Sequence, residues 1–347
     1  MTRPALYSVP PDEVRAKTTR RRPPLADPLP QPVPNRPLVL SLFKLARPHQ
    51  WVKSAFVLIG PFYGLADTHR TLSEVLVPAL LTAAAFALAS SSCYVVNDLF
   101  DAEVDRHHPR KCRRPIASGA VSSGAAWAFA LGLLVATAVL VLLIPPTGGQ
   151  SVRGLVALTI GLYVANVTAY SIWIKHIIIA DVMGLSLGFV LRVMGGCAAV
   201  AISPSTWLLN CTFFLAMFLA FGKRLGERRT AGPDAAGVRA VQAAYTDDLL
   251  RMAVVVTAVA TLLTYASYVQ ASEVYYTNPA AGNFNLLWLT ILPATFGLFR
   301  CIVLLERGDY DDPTELAIRD RAFAASGLVF GVMTLLLIAF FRFPTGG

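Results

Sequence analysis

The sequence predicts an all-α polytopic membrane protein, and three observations carry that expectation. Of 347 residues, 55% are hydrophobic and only 15% charged, against roughly 25% charged in a soluble domain. The charges are segregated, which leaves uncharged runs long enough to cross a bilayer. Lys and Arg fall almost wholly on one side of those runs.

Residues 1–40 are rich in Pro and Arg and lack an apolar core, so no cleavable leader is expected. They read as a disordered or locally ordered arm. Arg15, Lys17 and Arg20 to Arg22 could lie along anionic lipid. Residues 41–347 form the membrane domain. Nine apolar segments follow, at about 51–66, 75–97, 122–144, 153–173, 177–202, 205–222, 250–271, 285–305 and 322–342. Backbone exposed to lipid must satisfy its own hydrogen bonds, so nine transmembrane helices are predicted. The first segment is short and carries Lys53, Pro61 and Gly64, so it should be tilted or broken. Pro145-Pro146 with Gly148-Gly149, Ser203-Pro204 and Gly232-Pro233 mark turns between segments.

With the N-terminus inside, 26 of the 30 Lys and Arg fall on the inner side. Arg70, Arg153 and Arg342 are outer, and Arg192 lies within the fifth segment. This asymmetry predicts an inner-membrane protein with a cytoplasmic N-terminus. The net charge of +9 follows topology and gives no reason to expect a nucleic-acid partner. Five cysteines show neither metal nor disulfide spacing.

The most informative stretch is Asn97-Asp98-Leu99-Phe100-Asp101-Ala102-Glu103-Val104-Asp105, at the inner end of the second segment. On a helix, Asp98, Asp101 and Asp105 share one face, with Asn97 beside them. Like charges at that spacing repel and call for a cation. Arg106, Arg110, Lys111, Arg113 and Arg114 follow. Carboxylates for a hard metal, then cations for phosphate, predict a site for a phosphorylated substrate. The alternative is a solvated, charged flank.

Tyr170, Lys175 and Asp181 flank a tight inner turn. Lys175 and Tyr170 suit a phosphate, or serve as interface anchors. Asp181 lies within the membrane, where a carboxylate is costly and faces a cavity or a partner. Arg192 lies roughly 22 Å past Ile177. It either lines a cavity or bonds helix carbonyls or Asn210; Asp181 is too far along the same helix to pair with it. Lys223 and Arg224 end the sixth segment and could reach a diphosphate, with Glu227 a weaker ligand candidate. Arg47, Gln50 and Lys53 recur at three-residue spacing before the first segment and suit headgroups or phosphate. Asp312 or Thr314 could cap a short helix.

With those residues in view, the chain resembles the UbiA prenyltransferase superfamily from about residue 41 onward. Asn97, Asp98, Asp101 and Asp105 fit its acidic NDxxDxxxD motif. RPHQWVK (47–53), YSIWIKH (170–176), DVMGLSLGFVLRVMGG (181–196) and GKRLGE (222–227) resemble a phosphoribosyl-transferring branch. The aromatic prenyltransferases carry a second Asp-rich motif after helix six. This chain has the basic GKRLGERR there, with Asp247-Asp248 displaced toward helix seven.

The resemblance implies a nine-helix bundle with a cytoplasmic-side active-site cavity. It implies a donor, phosphoribosyl pyrophosphate (PRPP), and an acceptor, a polyprenyl (decaprenyl) phosphate, in cell-wall arabinan precursor synthesis. Mg²⁺ would be held by Asp98, Asp101 and Asp105, with Lys175 assisting catalysis. Lys53, Asn97, Arg113, Arg114, Tyr170, Asp181, Arg192, Lys223 and Arg224 would bind substrate. Related enzymes assemble, so a homo-oligomer is possible. The rival readings are an aromatic prenyltransferase using an isoprenyl diphosphate and a lipid transporter.

Overall fold

The structure is a computed structural model, described here for residues 37–64, 71–107, 111–147, 151–231, 245–278, 283–307 and 319–342. The arm before residue 37 and the capping reading of Asp312 and Thr314 lie outside the described residues. In chain order the helices are α1 Leu38–Ala46, a 3-10 helix Pro48–Leu58, α2 Ile59–Gly64, α3 Leu72–Phe100 and α4 Ala102–Arg106. Then come α5 Ser123–Leu142, α6 Arg153–Ile172, α7 Ala180–Ala199, α8 Thr206–Ala231 and α9 Asp247–Ala271. The short α10 Glu273–Tyr276, α11 Ile291–Arg307 and α12 Arg321–Arg342 complete the set. Residues Thr277–Asn278 and Phe284–Asn285 form a two-stranded antiparallel pair in the connection before α11, the one departure from all-α structure among the described residues.

Eight helices among the described residues are long and apolar enough to cross a membrane. They coincide with the second to ninth predicted segments. The first segment differs from a spanning helix. It is an 11-residue 3-10 helix continued by the six-residue α2. Its break is set at Arg47, whose backbone is left-handed (φ 52°) and ends α1 with its N–H on the Lys44 carbonyl. A 3-10 helix has three residues per turn, so Gln50 and Lys53 eclipse on one face as their spacing suggested.

That irregular segment is held against α7 and α3. A Cβ on Gly196 would lie 1.8 Å from the Val57 carbonyl oxygen, and one on Gly60 would lie 2.1 Å from Cys197 Sγ. A Cβ on Gly195 would lie 2.4 Å from Phe86 Cε2. Small residues let helix backbones approach where apolar burial gives little drive. On the α3 side, Trp51 Nε1 donates to Ser91 Oγ at 2.9 Å, and Ser91 Oγ donates to the Ala46 carbonyl at 2.7 Å. These contacts fix Arg47 over the end of α3.

Helix starts follow capping chemistry. Thr71 and Glu74 form a capping box on α3, and Ser122 and Thr246 accept from Ala125 and Leu249 N–H groups. Asp320 accepts the Phe323 N–H at 2.8 Å and a bidentate bond from Arg300. Arg300 first, then the Phe323 N–H, holds the Asp320 carboxyl below the usual carboxylate range.

The Gly196 contact yields a direct test. Gly196→Ala forces a methyl into a backbone carbonyl, so a loss of about 1–3 kcal/mol or more is expected. Gly161→Ala, with nothing within 4 Å, is the control. Thermal denaturation in detergent should separate the two; equal melting temperatures would refute the tight seat.

Candidate functional site

Alternation of the eight spans puts the ends of α3, α6, α8 and α11 and the starts of α5, α7, α9 and α12 on one side. The ion pairs Arg47–Asp98, Arg114–Asp105, Arg224–Asp181, Arg228–Asp247, Arg251–Glu306 and Arg300–Asp320 all lie at this end. Charge is thus gathered on one face of the bundle.

At its centre are two buried carboxylates. Asp98, in the last turn of α3, and Asp105, on α4, are 3% and 2% exposed. Arg114 Nη1 donates to Asp98 Oδ1 at 3.0 Å and to Asp105 Oδ2 at 2.6 Å. Arg47 Nη2 donates to Asp98 Oδ1 at 2.6 Å and its guanidinium carbon lies 5.1 Å from the Tyr94 ring centroid. Lys111 Nζ is 3.9 Å from Asp105 Oδ1. Like charges seven residues apart have drawn in cations, as electrostatics requires of carboxylates out of water.

The predicted triad is therefore divided. Asp98 and Asp105 share a cation, whereas Asp101 is the half-buried C-cap of α3, its N–H on the Asn97 carbonyl. Among the described residues no group of three His, Cys, Asp or Glu is placed to hold a metal. The pair still fits Mg²⁺. The donor set is hard oxygen, and one nitrogen cation already bridges it. Mg²⁺ usually takes one or two carboxylates and completes its shell with water and substrate phosphate.

A second buried network lies at the start of α7. Asp181 Oδ2 pairs with Arg224 Nη1 at 2.5 Å, and Tyr245 OH donates to Asp181 Oδ1 at 2.7 Å. The Ile179 N–H donates to that same hydroxyl at 2.7 Å. Ile179 has φ 69° and ψ −48°, with the Ala180 N–H on the Ile178 carbonyl at 2.8 Å. This is a γ-turn of the strained hand, rare for a β-branched residue. Burial, then the bond to Asp181, pushes the Tyr245 hydroxyl up to about 12, so it stays protonated and donates.

Asp181 and Arg224, both expected at the substrate, engage each other in this network, and Arg224 is buried at 9% exposure. Tyr245 was missed: it precedes α9 with no motif around it, and its partners are 64 and 66 residues away. The turn that precedes Ile179 carries half-buried Lys175 and is packed through Tyr170 and Ile174 on Gly184. Asn166 Nδ2 donates to the Gly184 carbonyl at 2.8 Å and fixes α6 to α7 there.

Arg192 is 4% exposed. It donates to the Gly188 carbonyl at 3.1 Å, Ser90 Oγ at 3.1 Å and Tyr163 OH at 2.8 Å, with its guanidinium carbon 4.4 Å from the Tyr163 ring centroid. The helix-carbonyl expectation holds; Asn210 is not among these partners. Lys53 and Asn97 are half-buried, and Arg113 and Lys223 are exposed at the charged end.

A 470 Å³ apolar cavity lies elsewhere. Phe56, Phe62, Leu76, Leu208, Tyr268 and Phe330 are among its lining. It reaches Ala79 on α3, which is about 28 Å along the helix from Asp98. The expected cavity at the charged end is therefore not the one described; this one occupies the opposite half of the spans.

A helix bundle with eight membrane-length spans, charged at one end and apolar elsewhere, is an integral membrane protein. The sequence matches the model of the UbiA prenyltransferase family over residues 55–327, and the chain belongs to that family. It is 31% identical over 298 residues to decaprenyl-phosphate phosphoribosyltransferase of Mycolicibacterium smegmatis, covering 83% of this chain and 89% of that one. The protein of the same name from Corynebacterium glutamicum is 31% identical over 300 residues, 86% of each chain. A solved UbiA homologue from Archaeoglobus fulgidus, bound to DMAPP and Mg²⁺, shares the fold with a TM-score of 0.60. It is 16% identical and covers 88% of this chain and 98% of its own.

The buried pairs can be apportioned by a double-mutant cycle. Asp181→Asn and Arg224→Gln should be non-additive by about 0.5–3 kcal/mol, while Asp181→Asn and Arg192→Gln should add. Tyr245→Phe leaves the Ile179 N–H and Asp181 short of a partner and should cost about 1–3 kcal/mol. Detergent melting curves read all three; a neutral Tyr245→Phe would remove its bracing role.

Proposed function

We propose that the protein transfers 5-phosphoribose from PRPP to a polyprenyl phosphate, releasing pyrophosphate, with Mg²⁺ as cofactor. The acceptor favoured is decaprenyl phosphate, named in its relatives at 31% identity. The pathway favoured is cell-wall arabinan precursor synthesis. One observation carries the choice of donor. The charged end holds a buried carboxylate pair, and the basic run GKRLGERR ends α8 where an isoprenyl diphosphate site would want further acids.

Asp98 and Asp105 would hold the metal, with Asp101 at the rim. A metal held there would supply neutralisation of the charge that develops on the departing pyrophosphate. Lys175, Arg113, Arg114 and Lys223 supply the cations that meet the donor's phosphates. Lys53, Asn97 and Tyr170 complete its binding surface. Asp181, Arg224 and Arg192 act as framework, because each is engaged within the bundle. The C1–O bond to pyrophosphate breaks as ribose C1 becomes oxocarbenium-like, and a lipid phosphate oxygen bonds to C1. A phosphomonoester is largely dianionic at neutral pH, so no strong general base is needed.

The remaining parts fit this use. The apolar cavity offers room for part of an isoprenoid tail whose phosphate sits at the charged end. The Lys and Arg distribution favours an inner-membrane location with the N-terminus and site cytoplasmic. A homo-oligomer is compatible with the apolar outer faces of the spans.

The test is an assay of purified protein with labelled PRPP, Mg²⁺ and decaprenyl phosphate, run beside geranyl diphosphate with 4-hydroxybenzoate. Product is expected from the first pair. Product from the second pair only would overturn the assignment. Asp98→Asn and Asp105→Asn should each lower transfer by roughly 100-fold or more, on the scale of lost transition-state charge stabilisation. Lys175→Ala should raise the KM for PRPP more than that for lipid; a change confined to the lipid would reassign it.

A further inference from the structure

The arrangement of Arg114 goes further than a phosphate contact. One of its nitrogens, Nη1, serves both buried carboxylates, at 3.0 Å and 2.6 Å. The position between two carboxylates is where a shared divalent cation would sit. Asp98 and Asp105 also face Arg47 and Lys111. The two buried carboxylates are thus already matched by cations, and a dication entering between them finds its ligands already bonded.

The side chain is also built to leave. Arg114 is 28% exposed at its side chain while both carboxylates are 3%. Its backbone is pinned: the Arg114 N–H donates to the Lys111 carbonyl, and its own carbonyl accepts from Ser118 N–H, both at 2.9 Å. Pro115 and Ile116 beside it are buried. The arm can swing toward solvent without unfolding its loop. A guanidinium grips phosphate oxygens in a two-pronged fashion as well as it grips carboxylates.

We propose that Arg114 is an exchangeable counter-cation. It neutralises Asp98 and Asp105 while the metal is absent, and passes to the diphosphate when metal and diphosphate arrive together. This rests on the metal-and-diphosphate part of the proposed function, not on which group the diphosphate carries. The metal then binds weakly alone and tightly with diphosphate. By linkage, the diphosphate gains from the metal by the same factor, of the order of 5–150-fold.

The test uses the full-length protein in detergent, with Mn²⁺ followed by electron paramagnetic resonance and inorganic pyrophosphate in excess Mg²⁺ followed by calorimetry. Arg114→Gln should bind Mn²⁺ alone about 10-fold more tightly than the native protein and bind Mg²⁺-pyrophosphate about 10-fold more weakly. Arg114→Lys keeps the charge needed for folding, but its compact, strongly hydrated ammonium is the poorer partner for buried carboxylates and lacks the two-pronged grip on phosphate, so it should fall between on both scales. A merely structural arginine does not move the two affinities in opposite directions. Unchanged or weaker Mn²⁺ binding in Arg114→Gln, or in Arg114→Lys if the former does not fold, overturns the exchange. If no form binds Mn²⁺ even with pyrophosphate, the metal-dependent reading of the site falls as well.

Discussion

Charges taken out of water at the end of a helix bundle must be matched, and that constraint organises this molecule. An unpaired carboxylate there costs several kcal/mol, more than most single packing contacts return. Asp98, Asp105 and Asp181 are each 2–3% exposed, and each meets an arginine from another part of the chain. Arg47 comes from 51 residues before Asp98, and Arg224 from the far end of the next span after α7. These matches tie α1, α3, α7 and α8 together at one end, while apolar packing and glycine contacts set the rest.

The irregular segment Pro48–Gly64 is a consequence of the same demand. A straight spanning helix would carry Lys53 into the apolar region. A left-handed residue at Arg47 and a 3-10 helix instead keep the guanidinium over Asp98 and the Lys53 face near the charged end. Long 3-10 helices are unfavourable by themselves. Here the Trp51–Ser91–Ala46 bonds and the Gly60 and Gly196 contacts hold it. The strained Ile179 turn is supported in a similar way, by a hydroxyl from a distant segment. A positive-φ residue of this type costs of order 1–3 kcal/mol and persists only when its surroundings over-determine it.

Much of this was legible in the sequence because hydropathy and charge segregation are local properties. Eight spans fell where apolar runs placed them, and the acidic motif fell at the end of α3. An irregular first segment was expected from Lys53, Pro61 and Gly64, while the left-handed residue that opens it, Arg47, carried no such signal. Pairings were not legible. Asp98, Asp101 and Asp105 share a helical face in the sequence, yet α3 stops at Phe100 and Asp101 becomes its cap. Arg224 reads as a free cation beside Lys223 until α7 brings Asp181 to it. Tyr245 carries no local signal at all, since its role depends on two atoms more than 60 residues away.

Arg192 shows where the matching rule stops. It is 4% exposed and deep in the bundle, and no carboxylate among the described residues pairs with it. Its bonds go to Gly188, Ser90 and Tyr163, all neutral, and to the faces of Tyr163 and Phe189. A guanidinium tolerates this better than an ammonium, because it is more weakly hydrated and stacks on aromatic rings. The charge is therefore spread over dipoles and rings without being cancelled. It leaves a fixed positive field about 12 Å along α3 from Asp98, counted from Ser90. Substituting an acid near Arg192 would cancel that field. The bundle instead keeps its buried acids, Asp98, Asp105 and Asp181, at the charged end, where cations can exchange between carboxylate and phosphate.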